Sequence, residues 1–217
     1  MRMRKKKHGA ERLAACAAIL CEKPEAPFTE ESGSFPNRAP IRLEIGCGKG
    51  GFSCAMAEKN PDVNFYAMEK VSDVLVIAAE RAMREADRRP DNLRFLRGDA
   101  ATLPEWFADS SLDGIYLNFS DPWPKEGHKK RRLTYRAFLT LYFNALKKGG
   151  FLALKTDNDG LFDFTLEELS FLGYTPLWQT RDLHSSPYNE GNVMTEYEKQ
   201  FSEAGKNINA LYVVKPE

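Results

Sequence analysis

The order of its apolar runs constrains this chain of 217 residues more than any other feature. Strand-like runs occur at 41–45, 63–68, 93–96, 112–119, 151–155, 174–180 and 210–214. Stretches with helical spacing separate most of them, at 51–58, 71–87, 135–146 and 161–172. The helix over 135–146 is closed by Gly149-Gly150, a helix stop. Alternation of this kind predicts an α/β fold, a mostly parallel sheet with helices on both faces. In such sheets ligands gather beyond the carboxyl ends of the strands. That rule places Gly46, Glu69, Asp99, Asp121 and Asp157 on one rim, because each directly follows a predicted strand. The length suits one domain over 1–217, with a basic N-terminal arm and helix at 1–23 and a Pro-rich connection at 24–40.

The first rim segment, LEIGCGKGG, has two readings. Gly46, Gly48 and Gly51 satisfy G-x-G-x-x-G, the dinucleotide pattern; Gly46, Gly48 and Gly50 satisfy G-x-G-x-G with Glu44 inside the strand. Both use glycine to let backbone turn tightly and approach a ligand. Glu69 sits where an acid would hold both hydroxyls of a ribose, which suits NAD and S-adenosylmethionine alike. Glu44 separates them: a carboxylate there opposes a pyrophosphate but tolerates a sulfonium bearing an amino acid. Asp99, in RFLRGDA, is a third strand-end acid, suited to accept from an adenine amine. Each acid alone could be a cap or turn residue. Together they favour S-adenosylmethionine.

Charge is unevenly spread. Formal net charge is zero, yet residues 1–12 hold six Lys/Arg against one acid, and 125–136 hold six against one. The rest is acidic, so two basic patches stand out as the footprint of a polyanion. Cys16, Cys21, Cys47 and Cys54 have no C-x-x-C spacing and no His ligand pair, which argues for reduced thiols rather than zinc or disulfides. MRMRKKK followed by LAACAAILC imitates a signal peptide, but nine apolar residues cannot span a bilayer. An amphipathic helix docked on the domain, with its basic arm free, is the expectation.

The strings LEIGCGKGGF, YAMEK, LRGDA, NFSDPWPK, HKKRRL, LKTDN and GNVMTEYEKQF follow in that order, from the basic N-terminus to about Phe201. They resemble the bacterial tRNA (guanine-N7)-methyltransferases, and NFSDPWPK and TEYE are far more specific than the glycine loop. The resemblance implies a Rossmann-like class I methyltransferase with a seven-stranded sheet whose last strand is antiparallel. It implies S-adenosyl-L-methionine as donor, a guanine of the tRNA variable loop as target, and a cytoplasmic protein. Partners are then tRNA, with no membrane, no DNA and no metal; a homodimer stays open. Carried over by motif position, the donor set is Glu44, Glu69, Asp99 and Asp121; the glycine loop adds Gly46 and Gly48 to it, and Asp121 is also the catalytic candidate. The substrate set is Lys125, Asp157, Thr195, Glu196, Tyr197 and Glu198. Glu126-Gly127 departs from relatives that often carry basic residues there, which puts some phosphate contacts in doubt.

The chemistry can be read from the residues as well. Guanine N7 carries no proton, so methyl transfer to it needs no general base. Asp121, held between Pro122 and Pro124 around Trp123, is expected to bind and to stabilise charge. Asp157 and Glu198 could accept from guanine N1–H and N2–H₂, while Thr195 to Glu198 also reads as a capping box. Trp123 suits base stacking or the core. Lys129, Lys130, Arg131 and Arg132 most simply contact phosphates. Three rivals remain at this stage. An amino-methyltransferase needs a D/N-P-P-aromatic loop, but here the second proline follows the Trp. A non-catalytic RNA-binding protein would keep the fold without binding donor. An NAD dehydrogenase lacks an evident catalytic His or Tyr-Lys pair.

Overall fold

A computed structural model describes residues 7–29, 31–85 and 91–217. In chain order the elements are α1 (Gly9–Ala14), β1 (Leu20–Cys21), β2 (Ile41–Ile45), α2 (Gly51–Lys59), β3 (Asn64–Glu69), α3 (Ser72–Glu85), β4 (Leu93–Arg97), β5 (Leu112–Asn118), α4 (Arg136–Ala145), β6 (Leu146–Thr156), α5 (Asp159–Phe171), β7 (Trp178–Thr180), α6 (Glu196–Glu203) and β8 (Asn209–Val214). The strands form one sheet in the order β1-β4-β3-β2-β5-β6-β8-β7. β8 pairs antiparallel with both neighbours, β6 and β7, so it alone runs against the rest.

The period-two alternation of strand side chains explains the layers. Along β3, Tyr66 and Met68 join a core with Leu139 of α4 and Phe162 and Leu169 of α5. Phe65 and Ala67 point the other way, into a core with Phe52 and Met56 of α2 and Leu75, Ala78 and Ala79 of α3. Both faces are thus covered, which is why these strands are buried almost throughout. α4 and α5 are joined by an ion pair: the Arg136 guanidinium donates to Glu168 Oε1 and Oε2 at 2.6 and 2.8 Å, and Arg136 N donates to Oε2 at 2.6 Å. Arg136, counted in the basic run, is therefore committed to the fold.

Four expectations change. The sheet has eight strands, not seven, because Leu20 and Cys21 pair parallel with Phe95 and Leu96. The edge of β4 offers backbone donors and acceptors, and the apolar run satisfies them better as a strand than as more helix. The N-terminal helix accordingly stops at Ala14, followed by a 3-10 turn over Ala17–Ile19 that buries Ile19. Residues 1–6 of the basic arm, and 86–87 of the expected third helix, lie outside the described residues. The strand expected over 174–180 starts only at Trp178, consistent with Pro176, which has no N–H for a ladder. β6 begins early, at Leu146, with a register shift between the Leu112 and Gly114 pairs.

The sheet order reverses between β2 and β5: from β2 the chain moves to β3 on one side, while β5 and β6 lie on the other. A crevice at the carboxyl ends of these two strands is the topological consequence. Gly50, in the loop leaving β2, has φ +76°, and an added Cβ would lie 2.9 Å from Ala78 Cβ and 3.1 Å from the Phe95 ring.

Two outcomes are expected from this packing. Gly50→Ala meets both left-handed strain and overpacking and lowers unfolding free energy by about 2–4 kcal/mol, measured by urea titration. The Arg136 hydrogen bonds, against the opposing effect of burial, hold Glu168 below its usual carboxylate range. A depressed carboxylate stabilises the fold above its unfolded pKa and loses that effect as pH falls through the folded one. Glu168→Gln should therefore weaken the fold at pH 7 and flatten the fall in the urea midpoint below about pH 4.5.

Candidate active site

The loop after β2 is strapped to the end of β3. Gly46 N and Cys47 N both donate to Met68 O, at 2.9 and 3.0 Å. Gly46, Gly48 and Gly50 all have positive φ, and a Cβ on Gly48 would meet nothing within 4 Å. Gly48 N donates to Glu69 Oε2 at 3.1 Å, and Val71 N to Oε1 at 2.8 Å. Burial still pushes the Glu69 carboxyl up beyond what these backbone donors offset, and the nearby charge of Asp121 adds to the rise. Glu69 and Asp121 are thus electrostatic neighbours across the crevice. Asp99 accepts from Ala101 N at 3.0 Å, capping a 3-10 turn, and pairs with Lys70. Burial opposes it, but Lys70 and that backbone bond hold the acid low.

Glu44 is turned inward. It is 4% exposed, and it accepts from Ser53 Oγ and from Asn118 Nδ2 at 3.0 Å. Burial raises its pKa despite these donors and the charge of Lys155. It fixes the ends of β2 and β5 to α2, and its two accepted bonds leave lone pairs to spare.

The loop after β5 is strained and clamped. Phe119 and Trp123 have φ of +51° and +40°, which cost a non-glycine residue about 1 kcal/mol or more each. Phe119 N donates to Lys155 O at 2.8 Å. Arg132 supplies the clamp: Nε donates to Pro122 O at 3.0 Å and Nη2 to Trp123 O at 3.1 Å. Its guanidinium lies 4.3 Å from the Phe164 ring centroid, and the residue is 8% exposed. Arg132 was expected to face phosphate; it is instead buried and spent on loop carbonyls. Arg131 covers the half-buried Trp123 ring at 5.0 Å. Lys125 and Lys130 are exposed, and Lys129 pairs with Glu126. The basic run forms a 3-10 turn, Glu126–Arg131. Asp121 itself is exposed, with no hydrogen bond or ion pair among the described residues and no role as a helix cap.

The substrate set divides in the same way. Thr195 caps α6 through the expected capping box, Thr195 Oγ1 accepting from Glu198 N at 2.9 Å and Glu198 Oε2 accepting from Thr195 N at 3.3 Å. Glu196 pairs with Arg81 and, at 3.8 Å, with Lys49 of the glycine loop. Tyr197 is exposed. Asp157, just past β6, is half-buried with no hydrogen bond among the described residues. Glu198 is wholly buried against Lys155 and His184. Burial raises it, but the charge and hydrogen bond of Lys155 and the bonds from His184 and Asn192 outweigh that and hold it low. Burial lowers Lys155 in spite of Glu198. Lys155, His184, Asn192, Ser53 and Asn118 were not singled out from sequence. Lys155, Asn118 and Asn192 carried a signal, through LKTDN, NFSDPWPK and GNVMTEYEKQF; His184 and Ser53 lie outside those strings.

Removing the clamp tests the loop. Arg132→Ala should lower unfolding free energy by about 2–3 kcal/mol, since it leaves carbonyls of a strained turn unpaired. Urea titration followed by tryptophan fluorescence reads both the stability and the freed Trp123 loop; an unchanged midpoint would refute the clamp.

Among the described residues no cluster of three or more His, Cys, Asp or Glu could hold a metal ion, and no helix is long and apolar enough to cross a membrane. Residues 38–211 match a family model described as "Putative methyltransferase". A tRNA (guanine-N(7)-)-methyltransferase of Lachnoclostridium phytofermentans is 51% identical over 177 residues, 82% of this chain and 81% of that one. One of the same name from Mesoplasma florum is 44% identical over 221 residues, 99% of each. Among solved structures, the 16S rRNA methyltransferase KamB superposes with a TM-score of 0.61 at 14% identity, covering 82% of this chain and 88% of that one; this likeness shows the fold. With 51% and 44% identity over most of its length, the chain belongs to the tRNA (guanine-N(7)-)-methyltransferase family.

Proposed function

We propose that this protein transfers the methyl group of S-adenosylmethionine to N7 of a guanine in the variable loop of tRNA, leaving 7-methylguanosine. The observation that carries this reading is the crevice itself. A glycine loop open at Gly48 and a strained loop bearing Asp121, which has no hydrogen bond or ion pair among the described residues, leave the two strands between which the strand order reverses. Ser120 Oγ, beside Asp121, is buried with no hydrogen-bond partner among the described residues, which suits a crevice made for a polar ligand. Glu69 and Asp99 suit hydroxyl and amine donors, and Asp121 suits a cation, so the residues present fit this donor. When bound, the donor supplies an electrophilic methyl group on a sulfonium.

The chain's own part is positioning and charge. N7 has an in-plane lone pair and no proton, so no side chain need remove one. Holding two reactants in line can supply several kcal/mol. Positive charge develops on the purine during transfer. A carboxylate about 4 Å away, at an effective dielectric near 20, interacts with a full charge by about 4 kcal/mol, and with half a charge by about 2. Asp121 also attracts the ground-state cation, so only the difference speeds the reaction. The exposed Lys125 and Lys130, which follow it in the chain, suit contact with phosphate. An A-form duplex hides N7 in a deep, narrow groove, so the target must be exposed or extruded, as in a tRNA loop. The free thiols Cys16, Cys21, Cys47 and Cys54 suit a reducing cytoplasm.

Labelled donor and tRNA should give label that maps to 7-methylguanine by borohydride/aniline scission. Label on an exocyclic amine would refute the N7 assignment. Asp121→Asn should lower kcat at least tenfold, about 1.4 kcal/mol, with an unchanged melting curve. A normal rate would remove its electrostatic role.

A further inference from the structure

Glu198 has no lone pair left for a base. A carboxylate offers about four acceptor positions. Oε1 accepts from His184 Nε2 at 2.9 Å and Asn192 Nδ2 at 2.7 Å; Oε2 accepts from Lys155 Nζ and from Thr195 N at 3.3 Å. Its side chain is 0% exposed. Lys155 is equally committed, since its remaining donors go to Val193 O at 2.8 Å and Asn192 Oδ1 at 3.1 Å. His184 is anchored in turn, Nδ1 lying 3.2 Å from Ser202 Oγ of α6. Asp157 lies two residues beyond Lys155, with neither oxygen engaged among the described residues.

Resting on the guanine-N7 reading above, we propose that Glu198 is a positioning residue and not a reader of the base. With Lys155, His184 and Asn192 it pins segment 192–195 against the carboxyl end of β6, and Asp157 is the carboxylate that accepts from the guanine's N–H edge. The geometry separates two acids that look alike in sequence. One is saturated by four donors inside the protein. The other keeps its acceptors at the rim. A guanine approaching Glu198 would have to displace one of its four donors, Lys155, His184, Asn192 or the amide of Thr195, and would leave that group without its acceptor. Tyr116, Phe52 and the Lys155 ammonium extend the same anchor under the crevice: Lys155 Nζ lies 5.1 Å from the Phe52 ring centroid, and Phe52 packs edge-on against Tyr116 at 5.2 Å.

The test uses tRNA carrying guanine or hypoxanthine at the target position. Hypoxanthine keeps N7 and N1–H but lacks the exocyclic amine. The wild-type protein should prefer guanine in kcat/KM. In Glu198→Gln, transfer to both substrates should fall together by tenfold or more, with their ratio unchanged within about twofold. In Asp157→Asn the ratio should collapse towards one. Lys155→Arg should retain more activity than Lys155→Met. A ratio that moves in Glu198→Gln, or rates that do not change there, overturns the positioning role. A wild-type ratio near one overturns the assignment of Asp157. If Glu198→Gln melts below the assay temperature, His184→Ala, at a side chain 24% exposed, is put through the same comparison with the same outcomes. Absence of any N7 transfer by the wild-type protein overturns the parent reading as well, and so is distinguished from failure of this one.

Discussion

Lys155 holds an ammonium almost wholly out of water, and the rim is arranged around that cost. Two buried carboxylates, Glu44 and Glu198, act on it electrostatically from different elements. Glu44 in turn takes Asn118 and Ser53, and Glu198 takes His184, Asn192 and Thr195. Removing one member of such a set leaves an uncompensated charge, which is far more costly than losing the whole set to apolar residues. The ends of β2, β5 and β6 and the start of α6 are therefore interdependent. Their relative placement is set by electrostatics inside the protein before any ligand arrives.

That arrangement suits a reaction with no proton to remove. A general base would need a titrating group within reach of the reacting atom. Here the interior acids Glu44 and Glu198 are turned inward and engaged, while Asp121 and Asp157 stand at the rim with no hydrogen bond or ion pair among the described residues. Phe119 is held by its bond to Lys155 O and Trp123 by Arg132, so Asp121 is offered by a loop pinned on both sides. Preorganised charge of this kind is effective because little reorganisation is needed during the reaction.

The alternation of strands and helices, the acids on the rim and the capping box at Thr195 were all legible, because each is a local pattern in the chain. β1 was not, since two residues within LAACAAILC carry no period and pair only because β4 has a free edge. Arg132 sat in a basic run where composition cannot separate a solvated charge from a buried one; its burial depends on the turn at Trp123. Glu198 was read by its motif, but its partners lie 43 and 14 residues away at Lys155 and His184. A contact between such distant positions exists only once the sheet has closed. The distinction between an acid that binds and an acid that holds was therefore beyond the sequence.

The sheet ends on one side in two residues, Leu20 and Cys21, and on the other in three, Trp178 to Thr180. So little ladder at either margin gives a passing strand few partners, and it protects the molecule from lateral accretion into larger sheets. A second copy, were it to dock, would gain little by continuing the sheet and would have to use a helical face.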